Sequence, residues 1–161
     1  MALAVVMLAL TAGPVGAGSR APNAWLQTDM AANQRRCVAA YWHHPRLRSG
    51  PHGPSCAMSS ILRLLYDSGA DVVLAGNDQM YERFAPMNSA GTADAARGSP
   101  FRGRHGWRGA VCTRPARPNS EVIESNTYGV LKLTLSWSAY RWEFVAANGD
   151  RFQDEGTGTC H

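Results

Sequence analysis

Cys37-Val-Ala-Ala-Tyr-Trp-His43-His44-Pro45 is the stretch whose reading decides the fold. A short run of apolar and aromatic residues stops at two histidines and a proline. The run reads as a buried strand. Proline has no N–H for a sheet ladder, so the histidines fall in a loop at the strand end. The loop 43–54 holds three prolines, two glycines and three histidines, among them His52. Outward from it, Ser55 to Ser68 predicts a helix. Met58, Ile61, Leu62, Leu65 and Tyr66 recur at helical spacing and make one buried stripe. Ser68-Gly69 ends it. Asp71-Val-Val-Leu-Ala75 predicts a second strand, apolar on both faces as inside a covered sheet. It ends in Gly76-Asn77-Asp78-Gln79, and the polar reading continues through Met80 to Phe84. Strand, helix, strand, with polar loops at the strand ends, is how an α/β protein builds a site.

On the N-terminal side, Asn23 to Ala32 predicts a short helix whose apolar residues do not separate cleanly from the polar ones. Before it, Ala2–Leu10 is apolar and Val15-Gly16-Ala17 has the small residues of a cleavage site. No Lys or Arg precedes the run, so a signal peptide and a buried strand followed by a Gly-rich loop both fit. The run is too short to span a membrane. On the C-terminal side, Met87–Asn119 shows no period, and 88–118 is expected to be irregular and the least ordered part. Alternation returns in Tyr128–Leu135 and Tyr140–Val145, with Ser136–Ala139 able to turn between them, a β-hairpin. Asn148-Gly149-Asp150 predicts a further turn and a short tail.

The chain has 161 residues, 45% hydrophobic and 17% charged, enough for one domain with a core and unlike a disordered chain. The net charge is +4, with arginines clustered between Arg97 and Arg117. No nucleic-acid motif accompanies that cluster, so a solvated segment is the preferred reading over a nucleic-acid contact. The four cysteines, Cys37, Cys56, Cys112 and Cys160, lack zinc-finger spacing and leave three full disulfide pairings open. No Walker A, GxGxxG or GxSxG motif occurs. His43, His44 and His52, beside a strand that ends in Gly-Asn-Asp, point to a metal or phosphate site.

Trp25–Asn33, Cys37–Pro45, Gly69–Gly76, Tyr81–Pro86, Arg117–Glu121, Thr127–Leu135 and Gly156–His161 together resemble the C-terminal half of a calcineurin-like metallophosphoesterase, of the secreted bacterial type related to purple acid phosphatases. The resemblance implies one partial domain over 1–161, an α/β fold and part of a layered α/β/β/α sandwich. Strands near 4–10, 37–42 and 71–75 would be neighbours in one sheet, with helix 55–68 on its face and the hairpin in a second sheet. It also favours an internal strand over a signal peptide for the first ten residues.

The implied chemistry is metal-dependent hydrolysis of a phosphate ester, outside the cell, with no nucleic-acid or membrane partner. The family holds two metal ions (iron, zinc or manganese) that generate a hydroxide and clamp the phosphoryl oxygens. The family's lone metal-ligating histidine maps onto His43. A phosphate-side catalytic histidine, polarising the leaving oxygen, maps onto His52. The metal-ligating Gly-His-x-His maps onto Gly76-Asn77-Asp78-Gln79, so Asn77 and Gln79 stand where the family has histidines. Neutral amides bind divalent ions less strongly than imidazole. The family's earlier Asp, Gly-Asp and Gly-Asn-His motifs are absent from the sequence. The resemblance therefore implies at most weak binding of a single ion and no appreciable turnover, with a non-catalytic remnant or binding module as the alternative.

The resemblance also singles out Cys37 and Cys160 as the disulfide pair, because both lie in matching segments and Cys56 and Cys112 do not. The family's glycine-rich strand, Phe-Val-Val-Gly-Thr-Gly-Gly, is replaced here by Phe101–Gly109. With residues 102–109 written CGT GGT CGG CAC GGG TGG CGA GGG, reading one base later restores Val-Val-Gly-Thr-Gly-Gly-Glu. The arginine cluster, His105 and Cys112 are then expected to be products of a shifted reading frame.

Overall fold

The computed structural model describes residues 4–7, 20–32, 37–50, 56–78, 80–97, 99–103, 115–147 and 149–161. In chain order they form β1 (Ala4–Met7), α1 (Arg20–Ala32), β2 (Val38–Trp42), a 3-10 turn (Cys56–Met58) leading into α2 (Ser59–Asp67), and β3 (Val72–Ala75). Then follow β4 (Tyr81–Met87), β5 (Ser99–Gly103), β6 (Ser120–Glu124), β7 (Gly129–Leu135), β8 (Ala139–Ala146) and β9 (Glu155–Thr159). The fold is α/β. One sheet has the order β1-β2-β3-β5-β4-β6, and the other the order β7-β8-β9. β1, β2, β3 and β5 run parallel, with Ala40 opposite Val73 and Val73 opposite Phe101. β4 is antiparallel to both β5 and β6, and the second sheet is antiparallel throughout.

Side-chain alternation explains the layering. Val38, Ala40 and Trp42 of β2 and Val73 and Ala75 of β3 face one way and share a core with Leu26 and Met30 of α1 and Met58, Ile61, Leu62 and Leu65 around α2. Ala39, Val72 and Leu74 face the other way and pack with Leu133, Leu135, Tyr140 and Trp142 of the second sheet and with Cys37 and Cys160. The first sheet is thus covered on both faces, and continuous apolar runs are what such strands require. Among the described residues the helices lie on one face only, and Val130 and Val145, a cross-strand pair on the outer face of the second sheet, are exposed. α2 ends where Ser68-Gly69 predicts: Gly69 has φ +76, and the Ala70 N–H donates to Leu65 O at 2.9 Å. Leu65 is 1% exposed at the centre of the helix–sheet contact. Leu65→Ala is expected to cost about 2–5 kcal/mol in urea unfolding, through lost burial and the cavity left behind. A loss under about 1 kcal/mol would mean that the site collapses around the smaller side chain.

Three expectations need correction. The segment 81–84 is not loop but the start of β4, because Glu82 and Arg83 are polar residues satisfied by tertiary partners rather than by solvent. The irregular stretch expected over 88–118 contains a strand, Ser99–Gly103, seated between β3 and β4. It also contains a tied loop: Asn88 Oδ1 accepts from Ala90 N and Thr92 N at 3.0 Å each, and the Asp94 N–H donates to Pro86 O at 2.9 Å. Residues 104–114, with His105 and Cys112, lie outside the described residues. The tail after Asp150 contains β9, which pairs with β8 through Tyr140–Gly158 and Trp142–Gly156. Both rings lie over those glycines, and a Cβ at Gly158 would come 2.2 Å from Tyr140 Cζ. Gly-rich sequence hid a strand whose missing side chains make room for aromatic rings. The strand expected near 4–10 is present over Ala4–Met7, and residues 8–10 lie outside the described residues.

Candidate functional site

His43 directly follows β2, and Gly76-Asn77 directly follows β3, so neighbouring parallel strands deliver them to the same sheet edge. The Gly76 N–H donates to Trp42 O at 3.1 Å and to His43 O at 3.0 Å, which ties the two strand ends together. A Cβ at Gly76 would lie 3.5 Å from His43 Nδ1, so the imidazole is beside the second strand end. Trp42 Nε1 donates to His44 O at 2.7 Å, turning the chain at the two histidines. Their rings meet edge to face with centroids 4.7 Å apart, and both side chains are exposed. Asn77 has φ +73, a left-handed backbone that Asn and His tolerate better than most residues.

The loop after His43 is anchored from below. Leu47 enters the helix-side core. Arg48 pairs with the buried Asp78, Nη1 to Oδ1 at 3.3 Å, so Asp78 faces inward. Gly50 passes so close to that carboxylate that a Cβ there would sit 2.2 Å from Oδ2. Glu82, buried on β4, accepts from Ser49 N at 2.8 Å and Ser49 Oγ at 2.5 Å, and from Ser120 Oγ at 2.8 Å. The Arg117 N–H donates to Ser49 Oγ at 2.9 Å. This buried network was missed in the sequence. The apolar Tyr81 and Phe84 that bracket Glu82 and Arg83 were its available signal, but the reading of 77–84 as one polar loop masked it.

Of the four site residues expected from the sequence, the structure brings His43 and Asn77 to adjacent strand ends. His52 and Gln79 lie outside the described residues. An imidazole and a neutral amide do not make a donor set for two metal ions, which needs anionic ligands to hold and bridge them. Among the described residues, the group of three close potential ligands is Cys37, Asp71 and Cys160, at the opposite ends of the same strands, and there the two sulfurs form a disulfide. The described residues do not fit a dinuclear centre at the His43 edge.

Two further polar clusters hold the framework. Asp154 accepts from Tyr81 Oη at 2.5 Å and Arg83 Nε at 2.8 Å, linking the first sheet to the loop before β9. Arg83 also pairs with Glu121 and lies over Trp142 at 5.6 Å. Burial alone would lower the Arg83 guanidinium, but the Asp154 hydrogen bond and the charges of Asp154 and Glu121 outweigh it and raise it above its ordinary value. On the helix side, Tyr66 Oη donates to Asp94 Oδ2 at 2.6 Å. That bond, then the Arg97 backbone N–H, holds the Asp94 carboxyl below the usual carboxylate range, and the same bond raises Tyr66. A lowered folded carboxylate stabilises above its unfolded value and loses this as pH falls through the folded one. A raised phenol stabilises below its unfolded value and loses this as pH rises through the folded one. The tie from α2 to the 88–97 loop should therefore operate between the carboxylate and phenol ranges. Tyr66→Phe is expected to be less stable than the unmodified chain at neutral pH and equal to it in acid, in urea unfolding across a pH series. A pH-independent difference would contradict the sign.

Neither a known family model nor a curated protein matches the chain. Solved structures do match. Purple acid phosphatase PPD1 from yellow lupin (Lupinus luteus) seeds has a TM-score of 0.68 at 14% identity over 95% of this chain and 30% of that one. GAP50, described as the anchor in the inner membrane complex of Plasmodium, has a TM-score of 0.64 at 15% identity over 86% of this chain and 42% of that one. PhoD has a TM-score of 0.54 at 12% identity over 91% of this chain and 34% of that one. These likenesses show a phosphatase-type fold, and the chain spans less than half the length of each neighbour.

Proposed function

We propose that the chain is a portion of a metal-dependent phosphoric ester hydrolase of the metallophosphoesterase type, carrying one edge of its site and not turning over substrate alone. The observation that carries this reading is the joining of two parallel strand ends that deliver His43 and Gly76-Asn77 to one edge, in a fold like that of purple acid phosphatase. The His43 imidazole is exposed there and can hold a single ion or a phosphoryl oxygen. Asp78, the nearest carboxylate in sequence, is committed to Arg48. The disulfide fits an oxidising, extracellular setting.

The test is phosphate release from a generic aryl phosphate with added zinc, iron or manganese. No appreciable release is expected from the unmodified chain or from His43→Ala. Asn77→His with Gln79→His is expected to tighten metal binding by about tenfold or more, as imidazoles replace amides, without restoring turnover. Release by the unmodified chain that disappears in His43→Ala would overturn the reading.

A second reading is a non-catalytic binding module. The exposed Val130–Val145 pair and Trp137 on the second sheet favour it, as does the likeness to a protein described as an anchor. Charged substitution at Val130 and Val145 separates the two readings: it should abolish partner capture in this one and leave metal binding unchanged in the first.

A further inference from the structure

At the end of the first sheet opposite His43, three ligand-bearing residues converge, and a fourth, His161, hydrogen-bonds to one of them. Asp71, 1% exposed, precedes β3, and Cys37 precedes β2. Cys160 and His161 follow β9 and reach across from the second sheet. The ligand atoms of Cys37, Asp71 and Cys160 lie within 4.8 Å of one another. His161 Nδ1 is 2.9 Å from Asp71 Oδ1, and the His161 N–H donates to the same oxygen at 2.9 Å. The Val38 N–H holds the other carboxylate oxygen at 2.7 Å. The carboxylate is thus fixed before any ligand arrives, and it tethers the His161 imidazole beside the cluster.

We propose that this cluster is a redox-gated metal site: with the Cys37–Cys160 disulfide reduced, Cys37, Cys160, Asp71 and His161 bind one thiophilic divalent ion such as zinc. Two thiolates, an imidazole and a carboxylate are a tetrahedral zinc donor set. The Cα atoms of the two cysteines are 5.1 Å apart, so parting the sulfurs to zinc-ligand spacing asks for side-chain rotation and little backbone movement. Val38 N and His161 N continue to orient Asp71, as outer hydrogen bonds orient metal ligands generally. The partly exposed His161 gives the ion its entry path.

The chemistry balances through an external dithiol. One of its thiolates attacks a disulfide sulfur, and its second thiol resolves the mixed disulfide. The dithiol is oxidised to its own disulfide while Cys37 and Cys160 become thiols. The ion then displaces the two thiol protons, and His161 ligates as a neutral imidazole through one ring nitrogen while the other keeps its proton. Exchange with an external disulfide, whose two sulfurs leave as thiols, re-forms the bridge and expels the ion, so the disulfide and the metal are exclusive occupants of one place.

The experiment is a cobalt titration of the full chain in a Cys56→Ser, Cys112→Ser background, before and after dithiol reduction. The reduced chain is expected to develop thiolate-to-cobalt charge-transfer absorption that saturates at one equivalent and is displaced by zinc; the oxidised chain should show none. His161→Ala should weaken binding by about tenfold or more. His43→Ala should leave it unchanged, which separates this site from the opposite edge. Zinc should slow alkylation of Cys37 and Cys160. If reduction unfolds the chain, zinc should restore its far-ultraviolet dichroism. Absence of thiolate charge transfer in the reduced chain, unchanged affinity in His161→Ala, or an unfolded reduced chain that zinc does not refold would each overturn the proposal.

Discussion

Replacing Cys37 and Cys160 together by alanine is expected to lower stability by about 3–5 kcal/mol. The bridge spans a sequence separation of 123 residues, so its loss returns a large loop-closure entropy to the unfolded chain. It also joins the two sheets directly, from the start of β2 to the end of β9. The inter-sheet core around it is the smaller of the two, with Ala39, Val72 and Tyr140 as its other buried members. Small side chains contribute modest burial, so the crosslink carries a large share of the inter-sheet attachment. Urea unfolding of the double variant against the oxidised chain measures the effect, and hydrogen exchange should show the amides of β8 and β9 losing protection before those of β2 and β3. A loss below about 1 kcal/mol would mean that the inter-sheet contact holds without the bridge.

Glu82→Ala is expected to cost about 3 kcal/mol, because it strands a buried backbone N–H and two hydroxyls that have the carboxylate as acceptor. The consequence reaches the His43 edge. Ser49 is tied to β4 through this carboxylate and to the chain beyond through Arg117 N, so the loop from His43 to Gly50 loses its floor. Glu82→Gln should cost less, about 1–2 kcal/mol, because one amide oxygen still accepts while the NH2 group meets the Ser49 N–H donor to donor. Thermal unfolding measures both, and amide exchange at Ser49 and Gly76 reports the loosened loop. Equal stability of Glu82→Ala and the unmodified chain would show that water replaces the carboxylate without penalty.

The sequence by itself determined the elements whose period matches their burial. β2 and β3 were legible because strands covered on both faces read as continuous apolar runs, and α2 because its stripe falls on one helical face. The hairpin of β7 and β8 was legible by alternation. Resemblance to a family then supplied the Cys37–Cys160 pairing, which the four cysteines alone left open, and pointed to His43 and Asn77 as residues of one edge. Tertiary structure alone decided the rest. β4 carries Glu82, Arg83 and Pro86, which suit a strand only because Ser49, Ser120, Asp154 and Glu121 meet the charges and the register shifts before the proline. β5 is short and contains Pro100, and it is a strand because β3 and β4 flank it. β9 alternates glycine with polar residues and has no apolar signal, since its inward positions are filled by the rings of Tyr140 and Trp142 from the neighbouring strand. The inward turn of Asp78 toward Arg48 is decided in the same way: a carboxylate goes to the charge that the fold places beside it, and a single stretch of sequence does not contain that charge.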